Sequence, residues 1–289
     1  FREKLKFFPI HPLKLLSKNS SNSKKTRKFL FQLGNGEKIE SVLMKEGNRI
    51  TICLSTQVGC AVDCKFCATA KMGFKKNLTV GEIVDQFIQL QSLIDQKITN
   101  VVFMGMGEPF LNYKNTIEAA NLLHHPKGIN LGAKRITIST AGIIPKIEQY
   151  TKESHPFKLA ISLNGTSHEQ RLKIMPLTKA FPFKNLIKVA KNYAYNSRNK
   201  LTFEYVLLKD INDDIMDAKK IISLLERMNC KLNIIPYNEI GGHFERPSDQ
   251  KIEKFIKVLK NVNFPVTIRW SKGTDIDAGC GQLVTSAEA

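Results

Sequence analysis

Beyond residue 80 the chain alternates between helical and strand-like patterning, and this alternation constrains its fold more than any other feature. Apolar runs at 100–104, 135–139, 158–163, 202–207, 231–236 and 266–270 have strand length. Amphipathic stretches at 80–96, 115–124, 182–196, 215–228 and 248–262 have the helical period. A strand followed by a helix and then another strand pairs in parallel, because the helix carries the chain back across the sheet. Thr79, with Glu82 three residues on, predicts a capping box at one helix start, and Ser248 stands at another. Six or seven βα units fit the length, too few for a closed eight-unit barrel. The predicted class is α/β, a partial (β/α)6-type barrel with functional groups at the C-terminal ends of its strands.

Ahead of this core, runs at 28–33, 39–44 and 50–55 are separated by Gly34-Asn35-Gly36 and Glu46-Gly47-Asn48, which predicts a small antiparallel meander. The expected organisation is a basic N-terminal segment and β extension over residues 1–49, then the core barrel over 50–289. Lys plus Arg number 44 against 26 acids, a formal charge of +18. Within the first 28 residues Arg2, Lys4, Lys6, Lys14, Lys18, Lys24, Lys25, Arg27 and Lys28 face only Glu3, and the polar run 17–22 reads as an exposed basic loop. A field of this sign draws polyanions, so RNA or DNA is the natural partner class; a solvated Lys-rich surface is the plain alternative. No apolar run approaches the roughly 18–20 residues of a membrane span, and no charged-then-apolar leader opens the chain.

The six cysteines are Cys53, Cys60, Cys64, Cys67, Cys230 and Cys280, four of them within 15 positions. That crowding suits metal binding in a reducing compartment, and a cytoplasmic enzyme is expected. Cys60, Cys64 and Cys67 form a C-x3-C-x2-C run directly after a strand. Three thiolates on one short loop can meet at a single centre. A structural zinc or an electron-carrier cluster takes four protein ligands, whereas a [4Fe-4S] cubane held by three leaves one iron open to a substrate. Phe66, between the last two thiols, would shield one side of it. Zinc completed by Cys53, Cys280 or a histidine is the alternative, although none of the six histidines has a metal-ligand spacing from the cysteines.

A three-cysteine loop after the first strand of a partial barrel resembles the radical S-adenosylmethionine (SAM) superfamily. Gly-Met-Gly-Glu-Pro at 105–109 stands where such proteins carry the loop that holds the cofactor's amino group. Longer runs narrow the likeness: Ser-Thr-Gln-Val-Gly-Cys at 55–60, Ile-Ser-Thr-Ala-Gly at 138–142 and Asp-Ile-Asp-Ala-Gly-Cys-Gly-Gln at 275–282. In order, and over almost the whole chain, they resemble the RlmN/Cfr adenosine methyltransferases, most of all the RlmN branch. The resemblance implies a radical SAM barrel with a [4Fe-4S] cluster on Cys60, Cys64 and Cys67, and two molecules of SAM per turnover. It implies methylation of carbon 2 of an adenosine in the peptidyl-transferase centre of 23S rRNA, and of an adenosine next to the anticodon in tRNA. An electron donor such as a flavodoxin-type reductant is the further implied partner, and carbon 8 is the alternative target. The chain opens on Phe1, not Met, and the helical RNA-binding domain that the family usually carries is expected upstream of it.

Carbon 2 of adenine is electron-poor and does not attack a sulfonium. The resemblance implies that Cys280 takes the methyl first, a thiolate being a good nucleophile. Gly279 and Gly281 would then make its loop mobile. Cys53, seven residues before Cys60, would resolve the protein–RNA link by forming a transient disulfide, and Glu40 would be the proton acceptor. By the same match SAM is contacted by Gly107, Glu108, Ser139, Ser162, Leu163, Asn164 and Asn238, through close backbone approach, a carboxylate and strand-end hydroxyls and amides. Family members commonly carry histidine where this chain has Asn164. Cys230 is expected in the core. The basic start, Lys71, Lys75, Lys76 and Arg246 are candidates for phosphate contacts, each otherwise a solvated charge.

Overall fold

The computed structural model describes residues 11–285. Ten strands form one sheet: β1 (Leu13–Ser20), β2 (Thr26–Leu33), β3 (Lys38–Glu46), β4 (Arg49–Cys53), β7 (Asn100–Phe103), β8 (Ile136–Thr140), β9 (Lys158–Ser162), β10 (Leu201–Leu207), β11 (Cys230–Pro236) and β12 (Val266–Ile268), in that spatial order. The strands on either side of the cysteine loop, β5 (Gln57–Gly59) and β6 (Phe74–Asn77), pair with each other as a separate two-stranded antiparallel sheet. From β1 to β4 the pairing is antiparallel; from β4 to β12 every pair is parallel. Each crossover therefore lands beside the strand before it, so the sheet winds in one direction and curls as a barrel does. Among the described residues β12 does not pair with β1, and the barrel stays open.

The helices of the crossovers are α1 (Ala68–Lys71), α2 (Val80–Ser92), α3 (Tyr113–His124), α4 (Ile144–Glu153), α5 (His168–Ile174), α6 (Phe183–Asn196), α7 (Ile215–Leu225) and α8 (Asp249–Val258). The predicted capping box is present: Glu82 N donates to Thr79 Oγ1 at 3.2 Å, and Thr79 N donates to Glu82 Oε2 at 2.8 Å. Ser248 caps α8 by accepting from Lys251 N. Helix α4 escapes the periodicity because only Ile147 and Tyr150 are buried along it, and α5 spans just seven residues. Two further readings need correction. The run at 50–55 is not simply the last strand of a meander, since β4 pairs antiparallel with β3 and parallel with β7 and so begins the barrel. Residues 17–20 are not a loop: they form the far half of β1, paired along β2 and solvent-exposed. A polar edge strand with Lys14 and Lys18 reads as a loop, and those same charges discourage edge-to-edge association. Arg2, Lys4 and Lys6 lie outside the described residues.

One buried amide ties the first barrel strand to the first large helix. Gln86 is fully buried; its Oε1 accepts from Ser41 Oγ at 2.6 Å and Ser55 N at 2.9 Å. Its Nε2 donates to the carbonyls of Ser55 and Glu82. It thus satisfies the backbone where the chain leaves β4 for the cysteine loop. Gln86→Leu strands those groups without water at about 1–3 kcal/mol each. We expect a loss of about 4 kcal/mol in urea denaturation, against under about 1 kcal/mol for substitution of an exposed residue on the same helix.

Candidate active site

The C-terminal ends of the parallel strands surround a cavity of about 140 Å³. Cys60, Cys64 and Cys67 line it together with Gly107, Glu108, Ser139, Ser162, Asn164, Asn238 and Cys280. Ten of the thirteen residues singled out from the sequence thus converge on one space, although they span residues 60 to 280. Glu40, Cys53 and Leu163 do not line it.

Desolvation pushes the thiols of Cys60, to about 12, and of Cys64 and Cys67 above their ordinary values. Thiols this desolvated would stay protonated on their own, so a group held by them as thiolates has to be cationic and take up their charge. Among the described residues no group of three His, Cys, Asp or Glu closes on a single ion. Three thiols lining one cavity are the donor set a [4Fe-4S] cubane would take, with one iron left open. Buried Arg171 stabilises the wall: it donates to the carbonyls of Leu163 and Ala141 and to Thr178 Oγ1, and interacts electrostatically with Cys64.

Glu108 shows the same need for a cation. Its carboxylate accepts from Phe110 N at 2.9 Å and Ala141 N at 2.7 Å, yet burial pushes it up to about 7. A carboxylate has about four acceptor positions, so an ammonium can still be taken. Gly107 brings the backbone close: at φ +95° it packs on Gln57, where a Cβ would lie 2.4 Å from that side chain. Asn164 adopts φ +52°, a left-handed conformation that asparagine tolerates better than most residues, and its Oδ1 accepts from Val206 N. Leu163 is in the core; its N–H donates to Glu204 O and its C=O accepts from Arg171, so its backbone is already committed.

Cys280 reaches the cavity on the tail that follows β12. Ala68 N donates to Gly281 O at 2.7 Å, Thr69 Oγ1 to Leu283 O at 2.6 Å, and Asn238 Nδ2 to Cys280 O at 3.0 Å. The glycines beside it leave room for its neighbours: a Cβ on Gly279 would come within 2.6 Å of Gln282 Oε1, and Gly281 adopts φ +82°. Cys280 is exposed as a residue, yet desolvation pushes its thiol to about 11, opposed by Arg269. Cys53, at the end of β4, is buried and pushed to about 12; it interacts with the same Arg269 and with Cys280. All six cysteines are free thiols. Glu40 lies on β3, ion-paired to Lys28 at 3.0 Å and accepting Val284 N at 3.0 Å, so it holds the tail.

Three groups escaped the sequence reading: Arg171, described above, Glu204 and Arg269. Glu204 lines the cavity from β10, with Oε1 taken by Asn233 and Oε2 buried without a partner. Arg269 is held above its ordinary value despite its burial, by Glu204 and the thiols of Cys280 and Cys53. A lone acid inside the apolar run Phe203–Val206 was the available signal for Glu204. Cys230 is in the core, as expected. The expected phosphate contacts are otherwise engaged: Lys75 pairs with Glu37, Lys76 with Glu82 and Arg246 with Asp249, while Lys71 donates to two carbonyls.

The family model described as "Radical SAM superfamily" matches residues 54–222. A protein of Thermotoga maritima named "Probable dual-specificity RNA methyltransferase RlmN" is 45% identical over 276 residues, covering 96% of this chain and 80% of the relative. A Leptospira interrogans protein of the same name is 42% identical over 266 residues, 91% of this chain and 75% of its own. Among solved structures, a radical SAM methyltransferase from Sphaerobacter thermophilus superposes with a TM-score of 0.93 at 39% identity, covering 98% of this chain and 84% of that one. With the convergent thiols, the Gly-Glu loop and the winding of the sheet, these likenesses place the chain in the RlmN family of radical SAM RNA methyltransferases, which use a [4Fe-4S] cluster and SAM.

Proposed function

We propose that this enzyme methylates carbon 2 of an adenosine in the peptidyl-transferase centre of 23S rRNA, and of an adenosine next to the anticodon in tRNA. The observation that carries this reading is the placement of a fourth thiol, Cys280, in the cavity lined by Cys60, Cys64 and Cys67. A carbon that is not nucleophilic needs its methyl carried by the protein, and Cys280 is the group placed to carry it. The relatives' name, dual-specificity RNA methyltransferase, supports two RNA classes, and the formal charge of +18 suits a polyanionic partner. The reaction belongs in the cytoplasm, with a flavodoxin-type protein as electron donor.

Cys60, Cys64 and Cys67 would hold the cluster and Glu108 would take the ammonium of SAM, with Ser139, Ser162, Asn164 and Asn238 offering hydroxyls and amides to its polar groups from the same cavity. Bound together, these groups supply a methyl donor and a 5′-deoxyadenosyl radical. Arg269 opposes the desolvation of the Cys280 thiol and so favours its thiolate, the form that would take up a methyl group from bound SAM, the cofactor leaving as its thioether. Cys53 later attacks the Cys280 sulfur, forming a disulfide as the product's bond to the protein breaks. Leu163, in the core, would act only by supporting its lining neighbours Ser162 and Asn164. Glu40 accepts the proton from the adenine carbon, and for that its contact with Val284 has to open.

Cys280→Ala is expected to abolish methyl transfer to RNA while anaerobic reconstitution still loads iron and sulfide. Cys53→Ala should leave RNA covalently attached to the protein. Mass spectrometry of modified 23S rRNA and tRNA fragments reads both, and a methyl on carbon 8 sinks the carbon-2 assignment. A separate expectation concerns Glu108, which titrates near 7 in the fold against 4.5 ordinarily. Between those values the folded state holds the extra proton. Stability from this group is therefore full below about pH 4.5 and lost as pH rises through 7, about 3 kcal/mol in all. Urea denaturation of the cofactor-free protein from pH 4.5 to 8 should show wild type losing that much relative to Glu108→Gln.

A further inference from the structure

The chain has one tryptophan, Trp270, two residues past β12. It is 48% exposed, an unusual expense of indole surface beside an active site. The Arg246 guanidinium lies over its ring, 5.3 Å from the centroid, and Asp249 holds Arg246 there. Both residues line a second cavity of about 640 Å³, large enough for a small ligand. This cavity shares Tyr237 and Asn238 with the thiol-lined cavity, and Asn238 also holds the Cys280 carbonyl. A molecule seated against Trp270 is thus one wall away from the reacting sulfur.

The charges say what kind of molecule. Glu239, Asp249 and Asp277 line the cavity with Arg246 as its one cation. In a protein of net charge +18 this is a locally acidic site, and it repels a phosphate. Carboxylates accept from the exocyclic amines and ring N–H groups of nucleobases, and indole and guanidinium faces stack on flat rings. We propose that this cavity is a subsite for one unpaired base of the RNA substrate, flanking the target adenosine and stacked on Trp270 and Arg246. The proposal rests on the RNA reading above and adds the place where a neighbouring base is read. Because the stack sits on the wall that holds Cys280, seating the flanking base positions the target over the sulfur.

The single indole makes the test direct. A hairpin RNA carrying the 23S rRNA target adenosine and a dye at its far end is titrated into the reconstituted holoenzyme. Trp270 emission and dye anisotropy are followed together. Emission should quench in parallel with the anisotropy rise. Trp270→Ala should weaken RNA binding by about tenfold, as loss of one stacked base does, and Trp270→Phe should restore most of it. Anisotropy that saturates with unchanged emission, or full affinity in Trp270→Ala, overturns the subsite while leaving the RNA reading intact. An anisotropy trace that never rises in wild type removes the RNA reading, and the subsite with it.

Discussion

The site depends on the docking of the tail that carries Cys280 onto the loop that carries the other three thiols. Two hydrogen bonds make the joint, from Ala68 N to Gly281 O and from Thr69 Oγ1 to Leu283 O. Ala68 N is free to donate because Ala68 opens α1, where the first backbone N–H groups have no partner within the helix, and Thr69 adds its side-chain hydroxyl. The turn that gathers the cysteines thereby also presents the donors that hold the fourth thiol. Glu40 and Lys28 extend the arrangement: through Val284 the tail is also fastened to β3, so the antiparallel extension supports the barrel's chemistry.

Charge inside the barrel is arranged around sulfur. Glu204 and Arg269 stand among the thiols, with opposite effects on Cys280, and Arg171 stands beside Cys64. Buried charges of this kind are costly unless they compensate one another. Here Glu204 and Arg269 offset each other, while both act on the Cys280 thiol, the acid raising it and the guanidinium lowering it.

Much of this was legible in the sequence because it is periodic or local. The βα alternation, the capping box at Thr79 and the spacing of Cys60, Cys64 and Cys67 each fit within a short window. Cys53, Glu40 and Cys280 were reached only through resemblance, since no local pattern ties residue 280 to residue 60. Arg171, Glu204 and Arg269 were missed for a different reason. Glu204 and Arg269 are single charges in strand-like runs and Arg171 stands in a polar helical stretch; such charges are most often solvated, and only the fold shows that these three turn inward. β1 was missed because a polar edge strand carries no alternation of its own beyond Leu15.

The hydrogen bond from Thr69 to Leu283 spans 214 residues of sequence. In the chain the loop and the segment that covers it are separated by every strand from β6 to β12, so the cover can be seated only when the sheet between them has brought its two ends together.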